Sequence, residues 1–384
     1  MIALPSRRST RHGAGPAVGP VRPLPDSGIR PLVSIFVSSY NYARFLPQCL
    51  TSVLTQDYDN IDVYVIDDAS TDNSAEVAGV FAAADPRFRI IRRPVNRGHM
   101  EAFNEGLAAA RGEYFIKLDA DDLLTPGSLA RSVAFAEHNP NVGFVYGEPI
   151  AFSEPPLPLA RTTPTSWSVW PGHDWLAHVC RLGYNAIAQP EALIRTATLR
   201  AAGYYNPALP HTFDMEMWMR LAVLADVGTI DAADQGYYRI HSASMQHTIN
   251  SGVIRDLEGR RDAFISVLTG PGKDAVNAEE LLATACRTLA VKALRHACDL
   301  LGASGGRRRG DRTTLGSRTD SHDRVEGFIA FAEEVYPTVR ELPVWATVDG
   351  LLRADPRVMM RHRARITARV VVRQAQAHVR LPGA

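Results

Sequence analysis

From residue 31 onward the chain alternates short apolar runs with amphipathic stretches. LVSIFVS (32–38) is apolar and β-branched, the pattern of a strand buried on both faces. ARFLPQCLTSVLTQ follows and puts Phe45, Leu46, Cys49, Leu50, Val53 and Leu54 on one helical face. IDVYVID (61–67) predicts a second strand. Ser70 or Thr71 is then expected to cap a helix reaching about Ala84, with Val77, Val80 and Phe81 turned inward. FRIIRR predicts a third strand, and GHMEAFNEGLAAARG a helix closed by Gly112. EYFIKLD predicts a fourth strand, PGSLARSVAFAEHNP a helix with Pro126 near its first turn, and VGFVYG a fifth strand. Such alternation predicts an α/β fold with a mainly parallel sheet covered by helices on both faces.

Ligands of such sheets bind beyond the carboxyl ends of the strands. Here those ends read SSYN, DDAS, RRPVNRG and DADD, and they are expected to converge on one crevice. Residues 151–250 are less regular, with Trp167, Trp170, Trp175 and Trp218, and should complete the site from the other side. Residues 251–302 read as a helical extension, 303–324 as a flexible linker, and 325–384 as C-terminal helices ending in a basic tail. Residues 1–30, rich in Arg, Gly, Pro and Ser, are expected to be disordered. Their GAGPAVG lacks the preceding strand and following helix of a phosphate loop.

Composition narrows the function classes. A hydrophobic fraction of 46% and a charged fraction of 22% suit a globular protein, and a net charge of +1 points away from nucleic acid. Lysine occurs only as Lys117, Lys273 and Lys292. Cys49, Cys180, Cys286 and Cys298 form no C-x-x-C pair and read as buried free thiols of a reducing compartment. The chain has no apolar run long enough for a membrane helix and no secretory leader, so a cytoplasmic protein is expected. The tail carries Arg357, Arg361, Arg363, Arg365, Arg369, Arg373 and Arg380. It reads either as a helix packed through Val370, Val371 and Val372, or as a peripheral contact with anionic lipid at the inner membrane face.

The densest chemistry is KLDADD, with Asp119, Asp121 and Asp122 directly after an apolar strand. Three neighbouring carboxylates repel one another, and a divalent cation relieves that repulsion. Mn2+ or Mg2+ held this way keeps coordination positions for phosphate oxygens. A D-x-D alone fits a solvated loop equally well; its place at a strand end favours the cation. Asp68 can accept from a base N–H or a ribose hydroxyl, or cap the next helix. Tyr40, beside Ser38 and Asn41, can stack on a nucleobase, and Arg97 can meet a diphosphate.

Four ordered motifs over residues 31–150 resemble family 2 glycosyltransferases, which have the GT-A fold. They are PLVSIFVSSYN, the helix ending SVLTQ, VIDDASTD, and NRGHMEAFNEG leading to DADD. The resemblance implies a GT-A domain over 31–250, divided into a nucleotide-sugar half (31–150) and an acceptor half (151–250). It implies sugar transfer, with inversion, from a UDP- or dTDP-sugar to the hydroxyl of a glycan, a lipid-linked glycan or a small molecule. By the same resemblance Ser38, Tyr40 and Asp68 hold the nucleoside. Asp119 and Asp121, helped by Asp122, hold the ribose and the metal-bound diphosphate.

An inverting displacement needs a base for the acceptor proton. TFDMEMWMRLA places Asp214 where the family's base lies, with Phe213 replacing the common Glu and Glu216 as the alternative. YYRIHSASM is similar to a Y-R-x-H segment that closes the donor site. It makes His241 a third metal ligand or a diphosphate contact, oriented by Arg239. In AAGYYNPAL, Tyr204 and Tyr205 would border the acceptor. A nucleotidyltransferase would carry a Gly-rich triphosphate loop and a Lys near its first strand, both absent from SSYNYARF. A non-catalytic nucleotide-sugar-binding protein would not need D-A-D-D, Asp214 and His241 together.

Overall fold

The computed structural model describes residues 17–20, 28–241, 252–275, 277–305 and 318–354. Two faces of one sheet are apolar, and each is covered. Strands β1 (Ala17–Pro20), β2 (Val33–Ser39), β3 (Ile61–Asp67), β4 (Phe88–Arg92) and β5 (Tyr114–Asp119) enter this sheet with β6 (Leu123–Leu124), β7 (Val142–Phe152), β8 (Ser166–Trp170), β9 (Ala192–Arg195) and β10 (Asp226–Arg239). The order is β1-β8-β10-β7-β9-β5-β2-β3-β4, with β6 paired to β10 off this path. The β4-β3-β2-β5 block is parallel, and β7 and β10 run parallel to each other. The parallel half is as expected, but β7 does not neighbour β5. Short β9 lies between them, antiparallel to both.

On one face Val33, Ile35, Val37, Val63, Val65, Ile116 and Leu118 join a single apolar cluster. Helix α1 (Leu46–Leu54) contributes Leu46, Cys49, Leu50 and Val53 to it, and α4 (Ser128–His138) contributes Leu129, Val133 and Phe135. Leu54 points outward instead, as does Val80 of α2 (Ser74–Ala84), which is 67% exposed. On α2 Ala75 and Ala78 are buried against the sheet, and Val77 and Phe81 pack partly buried beside them as expected. The other face packs Phe36 against Phe103 of α3 (His99–Ala109), ring centroids 5.4 Å apart and edge-on. A Cβ on Gly106 would lie 2.2 Å from the Phe36 ring, so only glycine lets α3 sit this low. That helix ends at Ala109 rather than Gly112, whose N–H goes to Ser34 Oγ at 2.8 Å.

Residues 17–20, expected to be disordered, pair with β8 as an edge strand. β8 offers an open row of backbone groups, and an unpaired edge favours capture of any extended segment. The chain also forms α5 (Gly172–Leu182), α6 (Thr196–Ala202), α7 (Phe213–Leu224), α8 (Val253–Thr269), α9 (Ala278–Gly305), α10 (Arg318–Val335) and α11 (Pro343–Ala354). Two compact units result. The first spans Met1–Ser251 with Asp262–Leu281, and the second Gly252–Arg261 with Leu282–Ala384. The second unit is helical and buries Leu289, Leu294, Phe328, Ile329, Val348 and Leu352. The expected linker is shortened, because α9 runs to Gly305 and α10 starts at Arg318. Cys49 and Cys180 are buried as expected, whereas Cys286 and Cys298 are only half-buried. Among the described residues no helix is long and apolar enough to cross a membrane. The arginine-rich tail lies outside the described residues.

Candidate active site

Strand register brings the predicted strand ends level. Ser38 stands opposite Asp119 across β2 and β5, Ser39 opposite Asp67, and Asp67 opposite Arg92. The loops above them are tied side chain to backbone. Asn41, at φ 58°, accepts from the Thr71 N–H at 2.8 Å and from the Asp72 N–H at 3.3 Å. Its own N–H donates to Ser70 Oγ at 3.0 Å. Ser70 is therefore committed to the neighbouring loop and does not cap α2. Asp72 serves the start of that helix, accepting from the Ser74 N–H at 3.0 Å. Tyr40 stands 45% exposed at this rim with its ring available, and Ser38 is half-buried beneath it.

Asp68 is buried and heavily engaged. Its carboxylate accepts from the Arg97 N–H at 3.0 Å, the Gly98 N–H at 2.7 Å and Arg93 Nη1 at 3.1 Å. These bonds fix the turn that leads into α3, where Gly98 adopts φ 85°, a left-handed value natural to glycine. Asn96 Oδ1 takes a further bond from the Gly98 N–H at 3.0 Å. Asp68 thus positions the loop, and Arg97 extends from it with its side chain 63% exposed, 4.0 Å from Glu101.

The three clustered aspartates part company after β5. Asp119, whose side chain is 36% exposed, meets Lys117 Nζ at 3.3 Å. Asp121 Oδ2 lies 2.9 Å from His241 Nε2. Burial, and then the Asp119 charge, push the Asp121 carboxyl above the usual range, an effect the His241 hydrogen bond opposes. Asp122, expected from the sequence as a metal ligand with Asp121 and His241, turns inward. Its Oδ1 accepts from the Arg239 N–H at 2.8 Å, and burial with its two acidic neighbours raises its pKa strongly. A buried carboxylate needs a donor, and the end of β10 supplies one. Among the described residues no group of three or more His, Cys, Asp or Glu side chains is arranged to hold a metal. Asp121 and His241 are left paired with each other, one oxygen donor and one nitrogen donor side by side.

Arg239 holds this corner together. Its guanidinium donates to the Asp121 carbonyl at 2.8 Å and to Gln48 Oε1 at 2.7 Å, and lies over the rings of Phe45 and Phe152. Beneath the turn, Ser52 Oγ accepts from the Leu124 N–H at 3.0 Å and Gln56 Nε2 donates to the Thr125 carbonyl at 3.0 Å. The Ser and Gln of SVLTQ therefore clamp the segment that follows the acidic turn.

Opposite stands α7. Asp214, in its first turn, accepts from Asn185 Nδ2 at 3.0 Å and from the Met215 N–H at 2.7 Å. Burial raises its pKa, and Lys117 works against that rise. Glu216, the alternative base, is buried in a pair with Arg220 Nη2 at 2.8 Å and also accepts from Ser266 Oγ at 3.1 Å. Arg220 in turn donates to the carbonyls of Ala202 and Tyr204. Glu216 therefore supports the loop that carries both tyrosines. Tyr204 is exposed, whereas Tyr205 is buried, its backbone held in both directions by Asn104.

Lys117, Asn185 and His99 stand among these residues although no motif marks them. Lys117 carried a signal, a charge at an inward strand position; Asn185 carried none, sitting in an irregular loop. His99 packs against Phe103 and Phe213, and burial, with Lys117 nearby, pushes its pKa down to about 4.

Residues 34–191 match the family model described as Glycosyl transferase family 2. An uncharacterized glycosyltransferase of Haemophilus influenzae is 25% identical over 57% of this chain and 69% of its own length. Seven further curated relatives match over only 11% to 44% of their own length. Among solved structures, S. aureus TarS 1–349 in complex with UDP-GlcNAc superposes with a TM-score of 0.55. It is 17% identical, over 84% of this chain and 89% of that one. The mannosyltransferase PcManGT from Pyrobaculum calidifontis, in complex with GDP-Man and Mn2+, gives 0.50 at 20% identity, over 91% of this chain and 90% of that one. Residues 34–191, which carry the strand-end motifs, are thus similar to the family 2 glycosyl transferases, and the chain has the GT-A fold of these solved structures.

Proposed function

We propose that the chain transfers a sugar from a nucleotide-diphosphate donor to an acceptor hydroxyl, with inversion at the anomeric carbon. The observation that carries this reading is the placement of two carboxylates near Lys117: Asp119 at a strand end, 3.3 Å from its ammonium, and Asp214, next to the Phe213 ring that the ammonium approaches. Asp119 suits the donor's ribose. Tyr40 and Ser38 form the rim for its base, and Arg97 reaches over the diphosphate from the loop that Asp68 fixes.

Asp121 and His241 would hold a Mn2+ or Mg2+ ion, which when bound supplies Lewis-acid stabilisation of the departing diphosphate. Asp214 accepts the proton from the acceptor hydroxyl. Its burial makes it a stronger base than a solvated aspartate, and Asn185 fixes the orientation of Oδ2. Exposed Tyr204 offers an aromatic surface for a glycan, a lipid-linked glycan or a small-molecule acceptor. A UDP- or dTDP-sugar is the expected donor, and GDP-sugars belong in the same screen.

The test is donor turnover by the purified chain across these donors, with and without Mn2+ or Mg2+. Metal-dependent release, abolished in Asp121→Ala, is expected. Full metal-independent activity, or an active Asp121→Ala, overturns the metal assignment. Asp214→Asn should lower transfer by about 10²–10⁴-fold, the range of a lost general base; unchanged transfer removes Asp214 from that role.

A further inference from the structure

Lys117 stands at a costly position. Its side chain is 3% exposed, on a strand whose neighbouring positions are apolar. An apolar residue of similar volume is often no less stable than a buried charge, even a paired one. The ammonium is compensated on several sides. It meets both oxygens of Asp119, at 3.3 and 3.4 Å, and lies 3.9 Å from the centroid of the Phe103 ring and 5.3 Å from that of Phe213. Phe213 immediately precedes Asp214 on α7, so the ring beside the cation comes from the same helical turn as the second carboxylate.

We propose that Lys117 is a positioning residue of the transfer reaction: a buried cation shared by the donor-side carboxylate Asp119 and the base Asp214. The inference rests on the reading of Asp214 as base. Lys117 pulls Asp119 toward the floor of the crevice and holds its carboxylate in one orientation through both oxygens. It also favours the ionised form of Asp214, whose burial works the other way. Other ionisable groups also act on Asp214. Asp119 comes from β5, buried Tyr205 from the loop before α7, and Tyr238 from β10. On α7 itself Glu216 is neutralised by Arg220. Of these, Lys117 is the cation. His99, on α3, faces the same ammonium and is held neutral beside it.

The experiment is the pH profile of kcat/KM, with donor affinity measured separately by calorimetry. Without the cation, Asp214 stays protonated to higher pH. In Lys117→Met the acid limb should therefore move upward by about 1 pH unit or more, the size of shift an opposite charge exerts at short range. Donor affinity should fall as well, because Asp119 loses its partner. Lys117→Arg keeps the charge and should hold the acid limb near the wild-type position even where kcat drops. Lys117→Gln, which keeps a donor for Asp119 without the charge, repeats the comparison if the apolar variant does not fold. An acid limb unmoved in the neutral variants, or moved equally by Arg, overturns the proposal. Asp214→Asn run alongside separates the two readings. If it is inactive while the Lys117 variants show no shift, the base stands and the shared cation falls; if it is active, the base assignment itself fails.

Discussion

His241 Nε2 lies 2.9 Å from Asp121 Oδ2, joining residues 120 positions apart and fixing the end of β10 onto the acidic turn after β5. The imidazole is packed against Phe45, ring centroids 4.8 Å apart, so its direction is set by the core as well as by the carboxylate. His241→Ala should therefore weaken binding of a nucleoside diphosphate with Mn2+ by about 10–100-fold, the usual effect of losing a metal-site residue or its orienting partner. Calorimetric titration of the diphosphate with and without Mn2+ checks it. Equal affinity for both proteins would remove His241 from the site.

Glu216 and Asp214 sit two residues apart and should behave oppositely. Glu216→Gln breaks a buried pair with Arg220, a change that costs about 3–5 kcal/mol. A large drop in Tm is expected, with the turnover of the remaining folded protein largely retained. Asp214→Asn should leave Tm nearly unchanged and remove turnover. Thermal melts and initial rates on the same preparations decide between the two.

Asp68 carries three hydrogen bonds from the turn before α3. Asp68→Asn leaves part of this donor set unsatisfied, at a cost of about 1–3 kcal/mol. The loss should be local. Amide hydrogen exchange at Arg97 and Gly98 is expected to accelerate well beyond that of β3, and uniform acceleration over the sheet would contradict the loop-fixing role.

His99 sets an acid limit to stability. Its folded-state pKa, about 4, lies below that of an unfolded histidine, so the unfolded chain takes up the proton first. The stabilisation is complete above about pH 6.5 and is lost as the pH falls from there toward 4. His99→Gln should flatten the pH dependence of Tm across that window. An unchanged slope would show that His99 is already protonated in the folded chain.

Much of the fold is legible along the chain because the central strands are buried on both faces. IDVYVID is apolar at nearly every position and folds as β3 with those limits. Where packing decides, the pattern misleads. Val80 and Leu54 fit a helical period yet face solvent, because α2 approaches the sheet through Ala75 and Ala78 and the apolar stripe of α1 is narrower than its sequence suggests. The antiparallel insertion of β9 between β5 and β7 leaves no mark in a four-residue run such as ALIR.

The site divides the same way. Composition and order announce SSYN, DDAS and DADD, since only strand ends tolerate such polar clusters directly after apolar runs. They do not say which aspartate faces the crevice. Asp122 is sequestered by the Arg239 amide, Asp68 by the turn before α3, and Glu216 by Arg220. Each is the product of a contact between distant segments. The sequence by itself determined that a parallel α/β sheet would end in a ring of carboxylates. Only the tertiary structure decided which of those carboxylates are consumed in holding loops and which, such as Asp119 beside buried Lys117, stay partly exposed. Hydrogen-bond saturation and burial are properties of the assembled crevice, and no local stretch of residues encodes them.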